Sequence, residues 1–161
     1  DVNFDNQINV VDIVIMVNFI LGLTIPTDEE FIAADVNEDG QLNVLDLIDN
    51  ISNILNSSNN LTMPSIKKVG ITQKNKTIMI NKNKLIGGIE IHFDKDCNIV
   101  ESFIDNDWVI RNYQNKVILY NPNLKSMKND FSINFDKFSN INKIIISDKN
   151  GFAIKSRIYK K

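Results

Sequence analysis

The chain has 161 residues, 43% of them hydrophobic and 24% charged, with a formal net charge of −2. This is an ordinary globular composition, long enough for two modest domains. The single cysteine, Cys97, excludes an internal disulfide, and the longest apolar run, Val10 to Leu23, is broken by Asp12 and Asn18, so neither a signal peptide nor a membrane span is expected.

The first element is written twice. DVNFDNQINVVD (Asp1 to Asp12) and DVNEDGQLNVLD (Asp35 to Asp46) share Asp at position one, Asn at three, Asp at five, Gln at seven, Asn at nine and Asp at twelve. A hard cation takes about six to eight oxygen ligands, and a twelve-residue loop supplies them from positions one, three, five, the carbonyl of seven, often a water held at nine, and twelve. One candidate Ca2+ site is therefore Asp1, Asn3, Asp5, the carbonyl of Gln7 and Asp12. The other is Asp35, Asn37, Asp39, the carbonyl of Gln41 and Asp46. Position six needs positive φ, which Gly40 adopts freely and Asn6 tolerates. Ile8 and Leu42, at position eight, are expected to pack the loops against each other.

After each loop the apolar residues recur with helical spacing: Ile13, Met16, Val17, Ile20 and Leu21, then Leu47, Ile48, Ile51, Ile54 and Leu55. Between the repeats Thr27 and Glu30 have capping-box spacing and predict a short helix from Asp28 to about Ala34. This half resembles the dockerin family, in which two repeats of a calcium loop plus one exiting helix form a module that docks onto a β-sandwich partner called cohesin. Asp in place of the usual Glu at position twelve, and the lack of a helix before the first loop, both carry the resemblance. It also implies that Val10, Val11, Val44 and Leu45 lie where partner choice is governed. Cellulosomal dockerins commonly carry small hydroxylic residues there, so these apolar ones argue against a cellulosomal partner. Two such repeats imply two nearly equivalent binding faces. A chain starting at ligand position one is expected to be processed or truncated.

Residues 56–65, with SSNNLTMPS, read as a linker between a module at 1–55 and a domain at 66–161. Beyond it come nine short apolar or alternating runs: Lys67 to Thr72, Thr77 to Asn81, Leu85 to Phe93, Asn98 to Ile104, Asp107 to Arg111, Lys116 to Tyr120, Phe131 to Phe135, Ile141 to Ser147 and Gly151 to Tyr159. Asn, Asp, Lys and Gly fill the gaps. This pattern predicts an all-β sandwich of about nine strands, so the fold class is a two-domain protein, helical then β. GGIEIHFD (Gly87 to Asp94) and IIISDKNG (Ile144 to Gly151) resemble cohesin strands, more weakly than the loops resemble dockerin.

Residues 1–55 carry eight Asp, three Glu and no Lys or Arg, a charge of −11, and residues 56–161 carry 18 basic and 9 acidic side chains, a charge of +9. Opposed fields of this kind steer and orient association. The lysines are spread among turns without an interleaved aromatic platform, which argues against nucleic acid. Catalysis finds little support either. His92 alternates with Ile91 and Phe93 and reads as a surface strand residue. Asp94, Asp96, Asp105 and Asp107 occupy turns that Asp fills anyway, and Trp108 reads as core rather than as a sugar platform beside Tyr113. Cys97 reads as a stray thiol in the turn DKDCN. Sequons occur at Asn50, Asn56, Asn60 and Asn75 and suggest glycosylation.

The sequence thus predicts a non-catalytic, calcium-dependent assembly protein, extracellular or on a cell surface. Its acidic module would dock onto the basic sandwich of a neighbouring copy, or of a separate cohesin-like protein, and build a head-to-tail polymer or filament. The alternative is the accessory tail of a secreted carbohydrate-active enzyme or scaffold, with carbohydrate for the sandwich. A further alternative packs the two domains on each other within one chain.

Overall fold

The computed structural model describes residues 1–55 and 68–160. Helix α1 (Val10–Leu21) starts where Asn9 caps it: the Asn9 side chain accepts from Val11 N at 2.8 Å, and Asp12 returns a carboxylate oxygen to Asn9 N at 2.8 Å. It stops at Gly22, which takes φ 80 and lets the Leu23 amide reach Asn18 O at 2.9 Å. Helix α2 (Asp28–Ala34) opens on the expected capping box, with Thr27 N donating to Glu30 Oε2 at 2.8 Å and Glu30 N to Thr27 Oγ1 at 3.2 Å. Helix α3 (Val44–Ile54) repeats the start of α1, with Asn43 as cap and Asp46 closing the box. The predicted stripes meet: Ile13, Met16, Val17, Ile20 and Leu21 are buried with Leu47, Ile48 and Ile51, over Val2 and Ala34. Leu55 departs from the stripe because it is the C-cap of α3 and stays exposed. Ile8 is also exposed, so the loops are not packed together through position eight, and only Leu42 leans on the core.

The strands are β1 (Val69–Lys74), β2 (Thr77–Ile80), β3 (Ile86–Phe93), β4 (Ile99–Phe103), β5 (Val109–Tyr113), β6 (Lys116–Tyr120), β7 (Phe131–Phe135), β8 (Ile141–Asp148) and β9 (Ser156–Lys160). They form a sandwich of two sheets, β4-β7-β2-β1-β9 and β5-β6-β3-β8, in which only β1 and β9 run parallel. Each of the nine predicted runs overlaps one strand. Two of the later starts have local causes. An Asp105 to Trp108 turn, closed by Trp108 N to Asp105 O at 2.9 Å, delays β5. Residues before β9 first pair back onto β8, with Ile154 N on Ile146 O at 2.7 Å, before the chain crosses to the other sheet. The predicted linker and the sequons at Asn56 and Asn60 lie outside the described residues.

Ile71, Ile78, Ile80, Ile89, Ile91, Phe93, Leu119, Phe131 and Ile133 fill the space between the sheets. Each buried aliphatic side chain of this size contributes roughly 1.5–3 kcal/mol. Trp108 stands in that core, edge-on to Phe131 with ring centroids 5.1 Å apart, and offers no open face to a sugar. Cys97 is buried there as well, which bars it from pairing between chains; burial is the main reason its thiol is pushed up to about 11. Asp94 ties the β3–β4 turn to the chain before β8. Its carboxylate accepts from Asn140 Nδ2 at 2.9 Å, Ser139 Oγ at 2.7 Å and Asn140 N at 2.8 Å, and the Asn140 and Ser139 side chains are the main reason its pKa drops to about 2.

A depressed carboxylate supports the fold above its unfolded pKa and loses that support as pH falls toward the folded one. Thermal melts of the sandwich should therefore show this tie intact above about pH 4 and failing between pH 4 and 2. Asp94→Asn should remove that part of the acid dependence. An unchanged acid limb in the variant would refute the assignment.

The helical module lies against the outer face of β5-β6-β3-β8. Ile118 and Tyr120 of β6 belong to the module's own core, with Ile145 of β8 and Val109 and Tyr113 of β5 packed around it.

Candidate functional site

Each loop folds on its own side chains. In the first, Asp5 N donates to Asp1 Oδ1 at 3.2 Å and to Asn3 Oδ1 at 3.1 Å, Asn6 N donates to Asp1 Oδ2 at 2.8 Å, and Gln7 N donates to Asp5 Oδ1 at 2.8 Å. The second repeats this bond for bond: Asp39 N to Asp35 Oδ1 (3.1 Å) and to Asn37 Oδ1 (3.0 Å), Gly40 N to Asp35 Oδ2 (2.9 Å), and Gln41 N to Asp39 Oδ1 (2.8 Å). Position six has positive φ in both, 65 at Asn6 and 77 at Gly40, and position four does too, at Phe4 and Glu38. Position twelve closes each ring. Asp12 accepts from Val2 N at 2.7 Å as well as from its cap, and Asp46 accepts from Asn37 N at 3.3 Å and Asn43 N at 2.9 Å.

So Asp1, Asn3 and Asp5 are gathered around one amide, and Asp35, Asn37 and Asp39 around another, while Asp12 and Asp46 are tied in through the backbone. At position nine, Asn9 and Asn43 serve as helix caps. Among the described residues no three carboxylate, imidazole or thiol groups converge as a metal cluster by themselves. What each loop offers is a mixed set of carboxylate and amide oxygens, the donor chemistry of a hard cation. Asp46 shows the electrostatic need. Burial above all pushes its carboxyl up to about 6, and the charges of Asp35 and Asp39 add to this against the hydrogen bonds from Asn43 and Asn37. Residues 1–55 hold no Lys or Arg to offset those charges. The residues fit a calcium ion.

The docking face is built from elements far apart in sequence. Register places Gly88 beside Tyr120 and Ser147, Glu90 beside Ile118 and Ile145, and His92 beside Lys116 and Lys143, all on the side of β3 opposite Ile89 and Ile91. α3 sits on this grid so closely that a Cβ on Gly88 would lie 2.6 Å from Val44 Cγ2 and 3.0 Å from Ile48 Cγ1. Val44 N, in the first turn of α3, donates to Glu90 Oε2 at 3.0 Å; the other oxygen of Glu90 meets His92 Nε2. A carboxylate there satisfies an orphan helix donor and complements the positive end of the helix dipole. At the far end of α1, Lys116 Nζ donates to Ile20 O at 2.9 Å, a cation on the negative end. A turn of the β8–β9 connection also touches α3, since a Cβ on Gly151 would come within 3.1 Å of Asp49 Cβ.

The face of β3 expected to meet solvent is therefore covered, with Glu90 only 2% exposed. Glu90, Gly88 and Lys116 were not singled out by sequence reasoning; the one signal was a glycine inside a strand, which marks a close backbone approach. The counterpart face of the first repeat is open, with Val10 66% and Val14 53% exposed against 0% for Val44 and Ile48. Asn50 is buried and its Nδ2 faces Met16 Sδ at 3.1 Å, so its sequon cannot carry a glycan on the folded helix, whereas Asn75 is exposed in the β1–β2 turn. No helix among the described residues is long and apolar enough to cross a membrane.

No curated protein matches the sequence. Among solved structures, a non-cellulosomal cohesin from the hyperthermophilic archaeon Archaeoglobus fulgidus is similar at 11% identity and a TM-score of 0.34, over 58% of this chain and 84% of that one. The sixth cohesin of scaffoldin B from Acetivibrio cellulolyticus, solved in complex with a dockerin, is similar at 9% identity and a TM-score of 0.34, over 56% and 92%. At such scores the sandwich is defined by its own sheet order and register. The family model of the dockerin type I domain matches residues 1–56, and dockerin domains are non-catalytic interaction modules that bind calcium. That match spans about a third of a chain whose remainder is a β-sandwich.

Proposed function

We propose that this protein is a non-catalytic, calcium-dependent assembly unit, extracellular or on a cell surface, in which a module at 1–55 is joined by a linker at 56–65 to a sandwich at 66–161. Two Ca2+ ions, one held by Asp1, Asn3, Asp5, the Gln7 carbonyl and Asp12 and one by Asp35, Asn37, Asp39, the Gln41 carbonyl and Asp46, keep the loops and helices in docking shape. Loops of this donor set fill at extracellular calcium concentrations, which supports the compartment. One observation carries the docking role: the first turn of α3 is seated over Gly88 and capped by Glu90. The contact is closed within one chain.

The charges of −11 and +9 support a second reading, in which the same contact is made between copies. Each copy would then offer one module and one sheet, a heterologous pair that propagates head to tail into a ring or filament. Light scattering against concentration decides between them. With calcium, the closed form stays at 18.4 kDa at every concentration. Growth of the mass with concentration, reversed by chelator, would replace it with the polymer. Polymers that survive chelation at high salt would contradict both.

A further inference from the structure

The two loops are alike in sequence and in hydrogen bonding, yet their exit helices meet different surroundings. The last ligand position of the second loop, Asp46, is in the first turn of α3, two residues beyond Val44. That turn is held from outside the module. Val44 N is bound to Glu90 Oε2, and Val44 and Ile48 rest on Gly88 with no room for a methyl group between. Strand β3 therefore sets where α3 begins and how it is rotated, and so where Asp46 stands relative to Asp35 and Asp39. The first loop has no such support. Val10 and Val11, which follow its cap, are 66% and 47% exposed. α1 receives its sandwich hydrogen bond at Ile20 O, ten residues from Val10 and about 15 Å along the helix.

We infer that calcium binding at the second loop is coupled to docking through the first turn of α3, with Glu90 as the positioning residue, while the first loop binds independently of docking. This rests on the calcium reading above. Coupling is reciprocal: whatever docking adds to the affinity of the second loop, calcium there adds to docking. The two halves of a nearly symmetric module then have separate tasks. The second site holds the contact and the first maintains the module.

The test is a calcium titration of the full chain followed by amide NMR, reading Asn6 for the first loop and Gly40 for the second, since each of these amides donates to its loop's first aspartate. In Glu90→Ala the Gly40 curve should move to about fivefold to tenfold higher calcium while the Asn6 curve stays put. Glu90→Gln, which keeps an acceptor oxygen for Val44 N, should restore most of the loss. Gly88→Val, which crowds α3 without removing Glu90, should shift Gly40 by a similar factor and Asn6 by much less. Equal shifts of both amides in these variants, or no shift of either, would overturn the coupling. If neither amide of the unaltered protein responds to calcium, the calcium reading itself falls and this inference with it.

Discussion

Gly88→Val is expected to lift the helical module off the sandwich and turn one compact body into two on a single chain. The added Cβ would sit 2.6 Å from Val44 Cγ2, closer than packed Cβ atoms come, and within 3.1 Å of Ile48 Cδ1, a tight contact as well. Val44 and Ile48 are fully buried, so neither has space to retreat. Overpacking of this kind costs about 1–3 kcal/mol for one extra group, and a valine adds three carbons at the tightest point. The clash falls on the outer face of β3. The inner face, with Ile89, Ile91 and Phe93, is untouched, so the sandwich keeps its core. Undocking also strips Glu90 from Val44 N at the start of α3 and Lys116 from Ile20 O near the end of α1, which exchanges two charge-assisted bonds for bonds to water. Small-angle scattering in calcium measures the result: a compact 161-residue chain has a radius of gyration of about 15 Å, and the variant should be several ångströms larger. Gly88→Ala should show the same change in part. A folded Gly88→Val protein with unchanged scattering would refute the seating of α3 on β3.

The loops were legible in the sequence because oxygen ligands must stand at fixed positions, and a repeat of Asp, Asn and Asp at one, three and five leaves few other readings. Helix starts were legible for a related reason: Thr27 with Glu30 satisfies backbone donors that every helix leaves open. The strands followed from period-two alternation, with errors where a turn such as Asp105 to Trp108 shifts the start. Alternation separates the two faces of a strand but says nothing of what covers each, so it places the side of β3 that carries His92 toward water. The cover of Glu90 on that side comes from Val44, 46 residues earlier in the chain, and no local pattern encodes a contact of that separation. Gly88 was the available hint, since a glycine in a strand interior weakens it unless another backbone or helix needs the room.

Removal of calcium is expected to destabilise residues 1–55 strongly while the sandwich keeps its stability. The module is small and completes its core with Ile118 and Tyr120 borrowed from β6, and its −11 charge has no internal cation to offset it. Like carboxylates 4 Å apart repel by about 1 kcal/mol in water and more where water is excluded, so the free energy of binding the ions is in large part folding free energy. The sandwich has a separate core between its sheets. Far-UV circular dichroism on heating with chelator should therefore lose the signal of α1, α2 and α3 well before that of the strands. Asp46 adds a sign that distinguishes this from a general loss of stability. Burial pushes its carboxyl up to about 6 in the ion-free fold, above the ordinary aspartate range, so the fold holds this proton more tightly than the unfolded chain does. Such a group contributes stability that is present below about pH 4 and is lost as pH rises through about 6. The ion-free module should thus melt at a higher temperature at pH 5 than at pH 7. The calcium-loaded protein should do the reverse, because below about pH 6 protons compete with the ion for the same oxygens. Asp46→Asn should flatten the ion-free dependence and weaken the second loop for calcium. Helices that melt identically with and without chelator at both pH values would show that the two loops carry no part of the module's stability.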